Sequence, residues 1–361
     1  MVAPKNPLRA DETVQKMLIS TPSWLVGQYD SENMAITHAW PNMYNRRANV
    51  GSVESPISKC GFVLAFRTPP PEKKAGVVIP DYSPTGERMC AYMSMLFGKK
   101  FDCHGMLEGS GFYQIPNFSQ LGSIHNSGLP INSHSERKCF PIPLELNRLS
   151  RIQKAIDRES DEPAIMKKLD AVCRHYMQSL QNAEDNIEVA YLNLITAGEI
   201  LSSCFEYSRR EILDEQTLDD LQVIADTARD GARIEKRLSG QLIRVKRKFV
   251  MTLCRLLDEE FFSSSECNTA AGRFSPQDIR KRVGAAYDLR STYVHTGVRF
   301  GDWVGPSVRN DDVQIGRPVE DNKKLGRILA RAPRFAGLER LIRYCCLRYF
   351  EASGLLVESH T

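Results

Sequence analysis

The order of apolar and polar residues along the chain changes character near residue 143. Before this point, short apolar runs bounded by turn residues lie at 60–67 and 75–79, and such runs predict short strands. Residues 85–97 have the pattern of a helix, whereas residues 105–137, rich in Gly, Ser and Asn, predict loops. The first part of the chain is therefore predicted to be irregular and partly β.

Beyond residue 143 the apolar residues recur every three or four positions, which is the period of an amphipathic helix. The clearest stripe spans residues 233–257. Similar stripes lie at 163–182, 185–205 and 338–350. Residues 275–278 (Ser-Pro-Gln-Asp) predict the start of one more helix, running to about His295, because a Ser N-cap, a first-turn proline and an early acid favour helix starts. Several helices of this length predict an antiparallel bundle.

The prolines divide the chain at the same place. Of the 19 prolines, 14 lie at or before Pro143, and proline breaks helix interiors because it lacks the backbone N–H. We therefore expect an α+β fold class with two domains: a smaller, partly β domain over residues 1–143 and an all-α helical bundle over residues 144–361. A length of 361 residues suits two domains of ordinary size.

Composition narrows the classes of protein to consider. The net charge is only +4, so any nucleic-acid site must be a local patch. The ten cysteines show no Cys-x-x-Cys spacing, which predicts reduced thiols in a cytoplasmic protein rather than a disulfide framework. The N-terminus lacks a signal-peptide pattern, and no apolar run reaches the roughly 18 residues of a membrane helix. We expect a cytoplasmic protein that does not enter a membrane.

Arg290 and His295 lie five positions apart near the end of the helix predicted from residue 275. A fixed cation beside an imidazole can cleave RNA without a metal, because the imidazole exchanges protons near neutral pH and the guanidinium stabilises the phosphorane. The spacing alone is weak, since chance supplies such a pair, and a helix-end cap beside an exposed cation is the alternative. On a regular helix the two side chains are about 140° apart, so they do not share a face unless the helix end tightens or unwinds. A second copy of the chain could instead bring another pair across a two-fold axis and build one groove.

The residues around this pair carry a family resemblance. Residues 287–295 read Tyr-Asp-Leu-Arg-Ser-Thr-Tyr-Val-His, which resembles the Tyr-x-x-Arg-Ser-x-x-Val-His-Gly motif of the HEPN superfamily, particularly its ApeA-like branch. The resemblance covers roughly residues 150–353 and includes Glu199, where the family has an acidic residue on an earlier core helix. It departs from the family at Thr296, which separates His295 from Gly297.

The resemblance implies a metal-independent endoribonuclease, often part of an abortive anti-phage defence or a toxin system. In this interpretation Arg290 and His295 are catalytic, Ser291 contacts the substrate or orients a partner, and Glu199 holds Arg290 by an ion pair. It implies RNA (tRNA or mRNA) as the substrate, a homodimer, 2′,3′-cyclic phosphate ends and no cofactor or metal. Residues 1–143, which resemble the region before the family's module through residues 91–101, would then sense a phage or host trigger.

Basic residues cluster on the helix predicted at 233–257 and at the start of the motif helix. The candidates for contacts with RNA phosphates are Arg244, Lys246, Arg247, Lys248 and Arg282. A solvated helix face explains this cluster equally well. The Cys and His residues between positions 103 and 139 lack the close spacing of a zinc site, so no metal is predicted. Two other functions stay open: a non-cleaving RNA-binding or regulatory module, and a structural interaction protein.

Overall fold

The computed structural model of the chain describes residues 9, 11–39, 59–70, 81–109, 112–113, 116–117, 122–158, 163–241, 245–307 and 309–357. The fold is mixed α/β, with an antiparallel sheet in the N-terminal part and helices after it. The strand predicted at residues 75–79 lies outside the described residues. None of the helices in the described ranges is both long enough and apolar enough to cross a membrane.

The sheet is built from strands that are antiparallel to their neighbours. The strands are β1 (Thr13–Thr21), β2 (Tyr29–Asp30), β3 (Met34–His38), β4 (Cys60–Thr68), β5 (Asp102–Gly109) and β6 (Phe112–Tyr113), in the spatial order β2-β3-β4-β1-β5-β6. The strand predicted at 60–67 is confirmed as β4, which pairs with β1 along its whole length. The prediction of loops over 105–137 is wrong at its start, because β5 continues to Gly109 along the other edge of β1.

α4 is the central helix of the main group of helices. The helices are α1 (Ser83–Phe97), α2 (Gln153–Asp157), α3 (Pro163–Asn182), α4 (Ile187–Ser202), α5 (Arg209–Ile212), α6 (Glu215–Thr227), α7 (Gly231–Gln241), α8 (Val245–Arg255), α9 (Glu259–Ser263), α10 (Ile279–Thr296), α11 (Gly301–Val304), α12 (Lys323–Leu329) and α13 (Phe335–Ala352). The predictions that became α1, α3, α4 and α13 are confirmed. α4 contacts α3, α8, α10 and α13. Gly198 permits this crowding, since a Cβ there would lie 2.5 Å from the Phe249 ring.

The clearest stripe in the sequence, at 233–257, does not form one described helix. The structure has α7 and α8 there, and residues 242–244 lie outside the described residues. α7 packs on α6 through a separate small apolar cluster that includes Leu221 and Leu238. α8 instead buries Phe249 and Leu253 in the main core. The apolar residues of the stripe are divided between two cores, so its unbroken period does not reveal that the stripe forms two helices.

α1 connects the sheet to the helices. Every residue from Met89 to Phe97 is buried, and a helix buried on all sides needs apolar neighbours on more than one face. α1 contacts β1 and β5 as well as α3 and α13. The main cluster of buried apolar side chains therefore includes residues on both sides of the predicted boundary near residue 143, and the division into two domains stays a prediction.

Three buried arginines contact α13 or belong to it, and two of them, Arg137 and Arg343, tie the N-terminal part to this helix. Arg137 donates to the carboxylates of Glu339 at 2.6 Å and Glu266 at 2.7 Å. Arg340 pairs with the carboxylate of Asp312, which lies between α11 and α12, at 2.7 Å. Arg343 donates to four main-chain carbonyls, two of which belong to the last turn of α1. Because each buried charge is compensated by partners far away in the sequence, this network fixes α1 and the following segment against α13.

The ten cysteines all lie in the described residues, and none is joined to another in a disulfide. Seven of them are buried and three are partly buried.

Lys99 is a fully buried amine beside the arginine network. Its Nζ donates to the carbonyl of Pro130 at 2.6 Å and to Oγ of Ser133 at 2.9 Å. Burial, together with the nearby Arg137 cation, lowers the pKa of Lys99 to about 6. A neutral amine has two N–H donors, and these two acceptors satisfy both of them.

This lowered pKa predicts a pH dependence of stability. An unfolded lysine keeps its proton up to about pH 10, so unfolding takes up a proton at any pH between about 6 and 10. The free energy of unfolding of the protein, relative to that of Lys99→Met, is therefore expected to increase as the pH rises from about 6 to about 9. Urea unfolding of both proteins across this range measures the difference, and a difference independent of pH would contradict the assignment.

Candidate functional site

α10 carries the Arg–His pair on a regular helix. It begins at Ile279, a few residues later than predicted, since the Ser275 hydroxyl bonds the side chain of Gln277 and residues 276–278 form a turn. The helix continues through Thr296, whose hydroxyl donates to the Thr292 carbonyl at 2.6 Å. Gly297 ends it in the left-handed conformation, with φ of 68°. The extra residue at Thr296 therefore prolongs the helix.

Arg290 is held at the interface of α4 and α10. Its guanidinium lies 3.7 Å from a carboxylate oxygen of Glu199 and 5.9 Å from the ring centre of Tyr287. The ion pair expected between Glu199 and Arg290 is thus present. A separation of 3.7 Å is longer than a hydrogen bond, and 31% of the Arg290 side chain is exposed, so its N–H groups can still bind an anion.

Tyr287 responds to the same carboxylate. Burial raises the pKa of its hydroxyl, and Glu199 raises it further, both through its negative charge and through a hydrogen bond. Tyr287 therefore stays a neutral hydrogen-bonding group beside Arg290 near neutral pH.

His295 stands in the last turn of α10 and is exposed. No side chain within the described ranges bonds its ring. Its neighbour Val294 is 54% exposed and Val298, just past the helix, is 38% exposed. The imidazole is therefore open to solvent, to a substrate or to another copy of the chain.

The structure does not bring Arg290 and His295 to one face of one chain. Since α10 is regular up to Thr296, five residues separate the two side chains by about 140° around the helix axis. Arg290 is on the α4 side, whereas His295 shares a face with Ser291 and Asp288, which precede it by one and two turns. Ser291 is partly exposed, and no residue in the described part of the chain bonds its hydroxyl.

The face of α10 that carries Ser291 forms one wall of a basic groove. The groove has a volume of about 450 Å³ and lies between α10, α12 and the start of α8. Its cations are Lys246, Lys281, Lys324, Arg327 and Arg331. Asp288 also lines the groove, and its two carboxylate oxygens accept from Lys246 Nζ at 2.6 and 2.7 Å.

The predicted RNA-binding residues do not share one surface. Lys246 lines the groove, and Arg247 lines a neighbouring pocket beside Tyr287. Lys248 follows Lys246 by two positions, or about 200° on a helix, and so lies on the far side of α8. Arg282 is paired with Asp278 at 2.6 Å and is only 18% exposed. Arg244 lies outside the described residues.

Sequence reasoning missed the contribution of α12 to this groove. Lys324 and Arg327 lie on α12, and Arg331 follows in the turn after it. Their spacing of three and four positions puts them on one face of a helix. This spacing was the one signal in the sequence that could have indicated a basic surface here. The same helix buries Leu325 and Leu329 on its other side.

The histidines and cysteines near the sheet do not assemble a metal centre. His104 is bonded to Ser20 Oγ at 2.7 Å and to the Asn117 carbonyl at 3.1 Å, while the ring of His134 stacks on Trp24. Within the described ranges, no three His, Cys, Asp or Glu side chains are grouped so that they could hold a metal ion.

No protein-family model, curated protein or solved structure matches the chain. The arrangement of α10 nevertheless has a definite chemistry. An exposed imidazole can donate or accept a hydrogen bond, a partly exposed guanidinium can bind an anion, and the excess of cations in the groove favours polyanions.

Proposed function

We propose that this protein is a metal-independent endoribonuclease of the HEPN type, with an ApeA-like HEPN bundle formed by the helices after residue 143. The observation that carries the proposal is the state of the motif pair. Arg290 is anchored by Glu199 at 3.7 Å yet 31% exposed, and the exposed His295 lies on the same helix without a bonded partner in the described residues. If the two residues had only a structural role, both side chains would be expected to have hydrogen-bonding or ionic partners within the fold.

The proposed reaction is an internal transesterification of RNA. The 2′-hydroxyl attacks the adjacent phosphorus as the imidazole of His295 takes its proton. Arg290 stabilises the negative charge that develops on the phosphoryl oxygens. The bond from phosphorus to the 5′ oxygen then breaks, and that oxygen takes up a proton, leaving a 2′,3′-cyclic phosphate and a 5′-hydroxyl. Ser291 would hydrogen-bond the substrate.

Two copies of the chain would share the site. Arg290 and His295 lie about 140° apart on one regular helix, so a two-fold axis beside α10 would bring Arg290 of one copy near the His295 of its partner. Val294 and Val298, which are 54% and 38% exposed, supply apolar area next to His295 for such a contact.

The N-terminal part would sense a phage or host trigger or restrain the nuclease. Support for such coupling comes from α1, which is buried between the sheet and the bundle, and from the Arg137 network that joins it to α13. A change in the sheet is therefore positioned to reach the helices mechanically.

Cleavage of total RNA and tRNA by the purified protein tests the proposal. We expect cuts that persist in excess chelator, since neither proposed group needs a metal, and ends that resist ligation until the cyclic phosphate is removed. Cleavage that requires added Mg²⁺, or that leaves 3′-hydroxyl ends, would refute the mechanism. Binding of RNA without any cleavage would favour the alternative, a non-catalytic RNA-binding module, for which the basic groove is the supporting observation.

A further inference from the structure

The basic groove between α10 and α12 has an excess of positive charge that the fold does not use. Of its five cations, only Lys246 is paired with a carboxylate of the described residues, that of Asp288. The side chains of the other four have no carboxylate partner in the described part of the chain, and all four residues are exposed. Like charges held in one concave surface repel each other, so they favour a bound polyanion.

The groove leads toward His295. Ser291 lines it, and His295 follows Ser291 by four residues on the same face of α10, about 6 Å farther along the axis. A strand bound in the groove would therefore extend toward the exposed imidazole. Arg290 is on the other side of the helix and is not among the lining residues.

We propose that this groove binds the phosphate backbone of single-stranded RNA and delivers it to His295 at the end of α10. The inference rests on the proposed ribonuclease and adds to it the path of the substrate and the residues that hold it. Lys324 and Arg327 contact phosphates from α12, and Lys281 does so from α10. Asp288 limits the affinity, because it neutralises Lys246 and repels phosphate.

A pair of adjacent lysines allows a matched test. Lys324 lines the groove, whereas Lys323, on the same helix and also exposed, does not. Lys323→Glu and Lys324→Glu make the same change in net charge. Both are made together with His295→Ala, so that the RNA stays intact, and binding of a fluorescein-labelled oligouridylate about ten nucleotides long is followed by anisotropy at several salt concentrations.

We expect Lys324→Glu to weaken binding at least about tenfold and to reduce the slope of log Kd against log salt by about 0.7, the value for one lost phosphate contact on a single strand. Lys323→Glu should bind within about twofold of its parent, since it contacts no phosphate. Equal losses of RNA affinity in the two variants would contradict the proposed binding of RNA in the groove. Displacement of the RNA by polyglutamate at the same charge concentration would also contradict it.

Asp288→Asn is expected to increase the affinity for RNA, an effect that a misfolded variant would not produce. It releases Lys246 and removes the carboxylate from the groove, so binding should tighten about two- to fivefold. Unchanged or weaker binding would contradict the proposed role of Asp288.

The two proposals can fail separately. If wild-type protein cleaves no RNA but Lys324→Glu still loses binding selectively, RNA binding in the groove is supported and the ribonuclease proposal is contradicted. If cleavage is present and Lys324→Glu binds and cuts RNA as well as Lys323→Glu, the ribonuclease proposal is supported and RNA binding in the groove is contradicted.

Discussion

Replacing His295 with Ala is expected to lower the rate of RNA cleavage by about 10²–10⁴-fold, the usual contribution of a general acid or base. Arg290→Ala should lower the rate by about 10²–10³-fold, because the phosphorane loses its charged donor. Arg290 is partly exposed and His295 is exposed, so neither change should unfold the protein. Single-turnover cleavage of a labelled RNA measures the rates.

His175 and Arg174, neighbours on α3, provide matched controls. His175 is bonded to Asn193 at 3.0 Å and Arg174 is exposed, and α10 packs mainly on α4, α8 and α12 rather than on α3. Their Ala variants should cleave like the wild type. If His295→Ala or Arg290→Ala also cleaves like the wild type, the assignment of the site is wrong.

Mixing the two inactive variants tests whether the site is shared. When Arg290→Ala and His295→Ala chains are co-expressed in equal amounts, half of the dimers contain one of each. In every mixed dimer, one of two composite sites has an intact Arg290 from one copy and an intact His295 from the other, so the mixture should recover about a quarter of wild-type activity. A mixed dimer that forms but stays inactive would show that each copy uses its own pair.

The periodicity of the sequence predicted the helices that present one stripe to one core. α3 buries one face in the main cluster, and α4 and α13, which are buried on more than one side, bury their apolar residues in the same cluster. The period of their apolar residues is therefore sufficient to find them. The stripe at 233–257 failed because α7 and α8 bury their apolar residues in different clusters. Periodicity reports that a face is apolar and does not report which core receives it.

The site was predictable only in part for a similar reason. The motif and its resemblance put Arg290, His295 and Glu199 on the list of site residues, and the contact between Arg290 and Glu199 joins positions on two long helices. The groove also needs α12, whose position beside α10 depends on the connection between them rather than on any local pattern. Taken alone, the spacing of Lys324 and Arg327 does not distinguish a binding surface from an ordinary solvated helix face.

Charge was a misleading signal inside α13. Arg340 and Arg343 interrupt its apolar pattern and would ordinarily mark a solvent-facing side, yet both are only 2% exposed. Their partners, such as Asp312 and the carbonyls at the end of α1, are distant in sequence. A buried charge of this kind can be recognised only once its partners are known.

Arg137→Met is accordingly expected to destabilise the protein by about 3–5 kcal/mol, the cost of leaving buried charges without their partner. The side chains of Arg137 and Glu339 are each only 2% exposed. Although burial opposes ionisation of Glu266, the Arg137 charge lowers its pKa to about 2, which indicates a strong attraction. Removing Arg137 leaves Glu339 and Glu266 in the core with one cation fewer, and it frees the Gly98 carbonyl to which Arg137 donates.

Arg348→Met is the matched control for this change. Arg348 also pairs with two carboxylates, those of Glu351 and Asp258, but it is 41% exposed, and such pairs contribute less than about 1 kcal/mol. Urea unfolding of the three proteins at one pH gives the free energies. Adding Glu339→Gln to Arg137→Met should restore part of the loss, because it removes one uncompensated charge. If Arg137→Met loses no more stability than Arg348→Met, the network does not hold α1 against α13, and the coupling proposed between the sheet and the nuclease loses its structural basis.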